Sequence, residues 1–111
     1  QNTLAALAGL GAQMHHVRAV VGPAICGRCY EVPAEMRATV DAVVPGTATT
    51  TDRDTPSLDL PKGAIAVLSS AGLDEVTALG ICTFENERFY SYRRSQDTGR
   101  FAGVVMLDAD E

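Results

Sequence analysis

Between Cys82 and Arg100 the chain gathers one of its three thiols, four of its nine basic residues and two of its three tyrosines. The run reads Cys82-Thr83-Phe84-Glu85-Asn86-Glu87-Arg88-Phe89-Tyr90-Ser91-Tyr92-Arg93-Arg94, followed by Thr98-Gly99-Arg100. Polar Glu85-Asn86-Glu87 between two apolar-leaning stretches predicts a β-hairpin, with Arg88 to Arg93 alternating as its second strand. Alternation would then place Phe89, Ser91 and Arg93 on one face and Tyr90, Tyr92 and Arg94 on the other. Aromatic rings beside a guanidinium suit a planar or anionic ligand, because the fork of N–H donors matches a carboxylate or phosphate. The same pattern also describes an amphipathic hairpin whose arginines are simply solvated.

Two further clusters carry titratable or metal-binding atoms. Cys26-Gly27-Arg28-Cys29 has dithiol spacing, but Tyr30-Glu31-Val32-Pro33 leaves no room for a helix starting at the second cysteine. Without a helix N-terminus to lower the thiol pKa, redox chemistry of the thioredoxin kind is disfavoured. A structural zinc site takes four ligands, commonly two such pairs, and only the distant Cys82 remains to add. The expectation is therefore no metal ligand in this chain, with Cys26 and Cys29 as small residues beside a tight turn. His15 and His16 are adjacent, so their side chains diverge on a helix or a strand and do not jointly chelate one ion. Asp52-Arg53-Asp54 reads as a solvated loop.

The elements that must hold these residues alternate between helical and extended, which predicts an α/β fold with mixed sheet layers flanked by helices. Leu4, Leu7 and Ala8 recur at helical spacing within residues 1–12. Val17 to Val21 is a β-branched run, expected to be a buried strand and stopped by Gly22-Pro23. Pro33 suits the first turn of a helix whose apolar stripe is Met36, Val40 and Val43, ending at Pro45-Gly46. Thr47 to Asp54 is a loop or edge strand. Asp59 is placed to cap a helix from Leu60 to about Ala71, with Ile65 and Leu68 inward and Gly72 as its stop. Val76 to Thr83 and Phe101 to Leu107 supply the last strands, the latter without alternation and so expected to be covered on both faces. Asp108 to Glu111 forms an acidic tail.

Three blocks in order also resemble a known family. Val21-Gly22-Pro23-Ala24-Ile25 followed by Cys29-Tyr30-Glu31-Val32 is similar to its Gly-Pro-Ala-Ile and (Phe/Tyr)-Glu-Val block. Ser57-Leu58-Asp59-Leu60 is similar to the Leu-Asp-Leu that opens a helix. The Cys82 to Arg94 run with Thr98-Gly99-Arg100 is similar to the C-terminal signature. The family is YfiH, also described as multicopper polyphenol oxidoreductase (laccase-like) or purine nucleoside phosphorylase. The resemblance implies that residues 1–111 are the C-terminal part of a single YfiH-like domain. The family's zinc ligands, two histidines and a cysteine, lie in Gln-x-His, Asp-Cys-Leu-Pro and His-Ala-Gly-Trp-Arg-Gly segments, none of which occurs here.

What the resemblance implies for function is zinc-dependent phosphorolysis of adenosine, inosine or methylthioadenosine, with adenosine deamination in some members. Copper-dependent polyphenol oxidation and peptidoglycan editing are the alternatives within the family, and a catalytically inert fragment is the alternative for this polypeptide. Carried over onto matching positions, the candidate substrate-binding residues are Cys82, Ser91, Tyr92, Arg93, Arg94 and Arg100. Arg94 is the first choice for an anionic group and Cys82 is expected near the zinc pocket without ligating it. Ser95 stands where the family usually has an acidic residue. The implied partners are a purine nucleoside and phosphate, together with a missing N-terminal half or a second copy of the chain.

Composition is ordinary for a globular chain, 46% hydrophobic and 21% charged over 111 residues. A formal charge of -5 argues against general nucleic-acid binding. No stretch has the length of a membrane span or the pattern of a signal peptide. An odd cysteine count without a secretory signal points away from a disulfide framework and towards the cytoplasm.

Overall fold

The computed structural model describes residues 1–106 and is a mixed α/β arrangement of two small sheets and three helices. Helix α1 spans Asn2–Gly9, with Leu4 and Leu7 as its half-buried positions. A short 3-10 turn at Met14–His16 leads into β1, Arg18–Val21. Helix α2 follows at Ala34–Val43, strands β2 and β3 at Ala48–Thr50 and Pro56–Leu58, helix α3 at Leu60–Ser70, and β4 at Glu75–Ala78.

β1 and β4 run parallel, in the register Arg18 with Glu75 through Val21 with Ala78. Helix α3 packs on both of these strands, giving the covered face that a parallel pair requires. β2 and β3 form an antiparallel pair across the Thr51–Thr55 loop, and α2 packs against them. The buried apolar residues are Val32, Leu58 and Leu73, supplemented by buried Thr47, Thr51, Ser57, Thr83 and Ser91.

Local chemistry explains where the sequence expectations hold. The Asp59 carboxylate accepts from the Lys62 backbone N–H at 3.0 Å, and Pro61 fills the first turn where no N–H is needed. Gly72, at φ +100°, ends α3 in the left-handed conformation that glycine adopts without strain. Pro33 is the N-cap of α2, one residue earlier than a first-turn position.

Several expectations are corrected. Residues 82–94 are not a hairpin: turns replace both strands, and Cys82 keeps only an isolated parallel bridge to Ala24. The reason is competition for carbonyls. Arg94 folds back onto the carbonyls of Thr83, Phe84, Asn86 and Phe89, while the Asn86 side chain accepts from the Arg88 N–H. Those bonds offer this backbone an alternative to a strand ladder. Residues 101–106 likewise form no strand, and Val104, Val105 and Met106 are 88%, 96% and 83% exposed instead of covered. Leu107 and the acidic tail lie outside the described residues. Finally, β1 is half-buried at most, because β4 is its single strand neighbour among the described residues.

β4 is also shorter than the Val76–Thr83 expectation. It stops at Ala78, and Gly80 then adopts φ +70°. The apolar stripe of α2 is only partly used: Val40 is half-buried, whereas Val43 is 78% exposed.

Candidate functional site

The carboxyl ends of β1 and β4 lead directly to the sulfur-bearing residues, the position at which open α/β sheets present their ligands. After β1 the chain turns through Gly22-Pro23 to Ala24, which accepts from the Thr83 N–H at 3.1 Å and donates to the Ile81 carbonyl at 3.2 Å. That bridge fixes Cys82 beside the segment carrying Cys26. The Cys26 carbonyl accepts from the N–H groups of Cys29 and Tyr30, both at 3.0 Å, closing a turn around Gly27 and Arg28.

This turn is clamped from beneath. The buried Ser57 hydroxyl donates to the Gly27 carbonyl at 2.6 Å. A Cβ on Gly27 would come within 2.9 Å of Thr49 Cγ2 and 3.0 Å of Asp59 Cβ, so only glycine allows this approach. The Cys82–Glu85 turn is closed by the Asn86 N–H on the Cys82 carbonyl at 2.9 Å.

The ligand atoms of Cys26, Cys29, Cys82 and Glu85 consequently all lie within 4.8 Å of one another. The premise that Cys82 stands apart from the Cys26/Cys29 pair is thus corrected. The Cys29 and Cys26 thiols donate to Glu85 Oε1 at 3.2 and 3.6 Å, and the Cys26 N–H donates to Cys82 Sγ at 3.4 Å. Arg28 completes the group with a 3.3 Å ion pair to Glu85. Glu85 is not among the ligands that the sequence suggests. The signal that points to it is spacing: Cys82-x-x-Glu85 repeats the interval of Cys26-x-x-Cys29.

The electrostatics of the group follow from these contacts. Hydrogen bonding from Cys29, then the Arg28 charge, holds the Glu85 carboxyl below the usual carboxylate range. Burial is the largest influence pushing the Cys29 thiol up, reinforced by its bond to Glu85 and the nearby Cys26. Burial also works to raise Cys82, but backbone N–H donors from Cys26, Glu85 and Phe84 outweigh it and the net shift is downward. A small cavity of about 140 Å³ adjoins the cluster, lined in part by Cys26, Cys82, Asp59 and Ala78.

The remaining candidates are distributed between two roles. Arg94 donates to four backbone carbonyls, at 2.7 Å to Thr83 and 2.6 Å to Phe89, and so ties the 83–94 loop together. Arg93 stacks over the Tyr30 ring, 4.6 Å from its centroid, and donates to the Glu31 carbonyl. Ser91 is buried, and its hydroxyl accepts from the Arg94 N–H at 3.4 Å. These three residues stitch the loop to itself and to the Tyr30 segment.

Tyr92 and Arg100 face solvent instead, on the lining of a cleft of about 410 Å³ shared with Tyr90, Gln96, Thr98, Gly99 and Phe101. Gly99 is needed there for close approach, since a Cβ would sit 3.0 Å from the Tyr90 ring. His15 and His16 are exposed.

No imidazole belongs to the Cys/Glu cluster, whereas blue-copper electron-transfer sites use two histidines and one cysteine. The donor set present therefore does not fit a laccase-type copper. Nor does the chain contain the histidine segments expected to hold the family's zinc.

The chain matches the family described as multi-copper polyphenol oxidoreductase laccase over residues 1–108. It is 48% identical over 103 residues to a purine nucleoside phosphorylase of Streptomyces griseus, covering 93% of this chain and 42% of the relative. It is 40% identical over 105 residues to one of Mycobacterium tuberculosis, covering 95% of this chain and 42% of the relative. Against a purine nucleoside phosphorylase of Deinococcus radiodurans the identity is 36% over 112 residues, the whole of this chain and 44% of the relative. The chain thus spans less than half the length of these curated relatives. With that match over nearly its entire length, the chain belongs to the YfiH family of laccase-like polyphenol oxidoreductases.

Proposed function

We propose that this chain is the C-terminal part of a longer, zinc-dependent purine nucleoside phosphorylase and supplies part of its substrate site. The observation that carries the proposal is the 36–48% identity, over 93–100% of this chain, to relatives bearing that name. The cleft lined by Tyr90, Tyr92 and Arg100 is chemically suited to it. A tyrosine ring stacks on a planar base, and a guanidinium pairs with phosphate in a bidentate, charge-assisted way.

In phosphorolysis a phosphate oxygen forms a bond to C1′ of the ribose as the bond from C1′ to the base breaks. The base departs with that electron pair and takes up a proton. Arg100 holds the phosphate and offsets its charge. Ser91, Arg93 and Arg94 hold the loop that carries Tyr92. The zinc belongs to the part of the longer protein that supplies its histidines, and the location is the cytoplasm. Adenosine and inosine are the substrates to test, adenosine deamination being a further activity.

The experiment uses the longer protein with each nucleoside, with and without phosphate. Release of free base and ribose 1-phosphate only when phosphate is present is expected. Oxidation of a polyphenol with copper, and no base release, would favour the other activity in the family description.

A further inference from the structure

The four-residue cluster beyond the carboxyl ends of β1 and β4 has no task in the phosphorolysis reading, and its geometry is more specific than a chance meeting of thiols. We propose that Cys26, Cys29, Cys82 and Glu85 form a structural zinc site that joins the two halves of this chain. It is separate from the catalytic zinc and independent of which substrate the longer protein uses.

Dimensions support the assignment. Around a tetrahedral zinc, bond lengths of roughly 2.3 Å to sulfur and 2.0 Å to oxygen give sulfur–oxygen edges of about 3.5 Å and sulfur–sulfur edges of about 3.8 Å. The observed sulfur–oxygen separations are 3.2 and 3.6 Å, and the whole ligand set fits within 4.8 Å. The widest pair has to close by roughly 1 Å at most to reach those edges.

The paired spacing, Cys-x-x-Cys with Cys-x-x-Glu, is that of a zinc knuckle in which one carboxylate replaces a thiolate. Each pair sits on its own hydrogen-bonded turn, at 3.0 Å for Cys26–Cys29 and 2.9 Å for Cys82–Asn86. The Ala24–Cys82 bridge brings the turns together.

The surroundings supply what a thiolate-rich site needs. An N–H to sulfur bond from Cys26 to Cys82 is already in place, and outer contacts of this kind orient ligands and tune the metal. Three thiolates, one carboxylate and a divalent ion leave a net double negative charge, and Arg28, already 3.3 Å from Glu85, halves it. Soft sulfur donors favour zinc over magnesium or calcium. On binding, each sulfur coordinates as a thiolate and its proton passes to solvent.

The competing fate of Cys26 and Cys29 is a disulfide. All three cysteines are free thiols here, and a Cys26–Cys29 disulfide would remove two of the four donors. The test is zinc titration of the reduced, metal-stripped chain with a chromophoric competitor, repeated with cobalt as a spectroscopic substitute. One ion per chain is expected, with the thiolate-to-cobalt charge-transfer bands of a tetrahedral, sulfur-rich site. Cys82→Ser is expected to weaken zinc more than the roughly 10–100-fold typical of outer-contact changes.

Glu85 is half-exposed, so Glu85→Gln removes a donor without emptying the core and guards against a variant that simply misfolds. It too is expected to weaken zinc and to alter the cobalt spectrum. The proposal is overturned by any of three results: substoichiometric binding by the reduced chain, binding unchanged in both variants, or a Cys26–Cys29 disulfide that forms equally fast with zinc present.

Discussion

Individual residues in this chain earn their positions mainly by what they do to the backbone. Arg94 is the clearest case, since four carbonyls of the 83–94 loop converge on one guanidinium. Arg94→Ala should free those carbonyls and loosen the loop by about 1–2 kcal/mol, a range set by charged hydrogen bonds moderated by solvent exposure. Hydrogen exchange at Asn86, Phe89 and Ser95 would report it, and unchanged protection would show that the loop stands without Arg94. Gly27 is the second case. Gly27→Ala must displace Thr49 or Asp59 and should cost about 1–3 kcal/mol in denaturant unfolding. A midpoint equal to that of the unmodified chain would contradict the tight contact at this turn.

Among the helices and strands, short-range chemistry is readable in the sequence and pairing is not. Asp59, Pro61 and Gly72 bracket α3 by capping, ring geometry and left-handed backbone, all local effects. Residues 88–93 alternate as a strand would, yet alternation cannot say whether a neighbouring strand exists, and here Arg94 takes the carbonyls. The cluster was half legible for a similar reason. Cys26 and Cys29 declare themselves by spacing, whereas the approach of Cys82 depends on the Ala24 bridge between segments far apart in sequence.

The turn after α2 is held by one carboxylate. The Asp41 carboxylate accepts from the Ala48 and Gly46 N–H groups, both at 3.0 Å. The Ala48 bond is the largest influence lowering its pKa, against a smaller opposing effect of burial, with Gly46, Thr47 and Arg37 adding to the depression. A carboxyl depressed on folding contributes stability above its unfolded pKa and loses it as pH falls through the folded one. The contribution should therefore disappear below about pH 4, the ordinary carboxylate range. Asp41→Asn keeps an acceptor oxygen but removes the ionisation, so its unfolding midpoint should vary less with pH over the acid limb. Identical acid profiles would contradict this account of the turn.

For the molecule as a whole, the exposed apolar surface is the dominant fact. An accessible area of 8217 Å² exceeds the roughly 5,900 Å² expected for a compact monomer of 11.7 kDa. Val20, Leu79, Val104, Val105 and Met106 are among the large apolar side chains left in water. Surface of this kind calls for a covering partner. The chain alone should self-associate, with a sedimentation coefficient that rises with concentration and falls when the remaining part of the longer protein is supplied. A single concentration-independent monomer would instead mean that no such partner is required. No described helix is long and apolar enough to cross a membrane.

In the proposed reading, Arg100 supplies the phosphate-binding side of a nucleoside phosphorylase site. The most direct test of that role is the phosphate dependence of base release from inosine by the longer protein, measured for the unmodified enzyme and for Arg100→Gln. Loss of a charge-assisted contact worth about 1.5–3 kcal/mol should raise the KM for phosphate by roughly 10- to 150-fold, with a smaller change in the KM for inosine. Base release that needs no phosphate, or a phosphate KM left unchanged by Arg100→Gln, would contradict the claim.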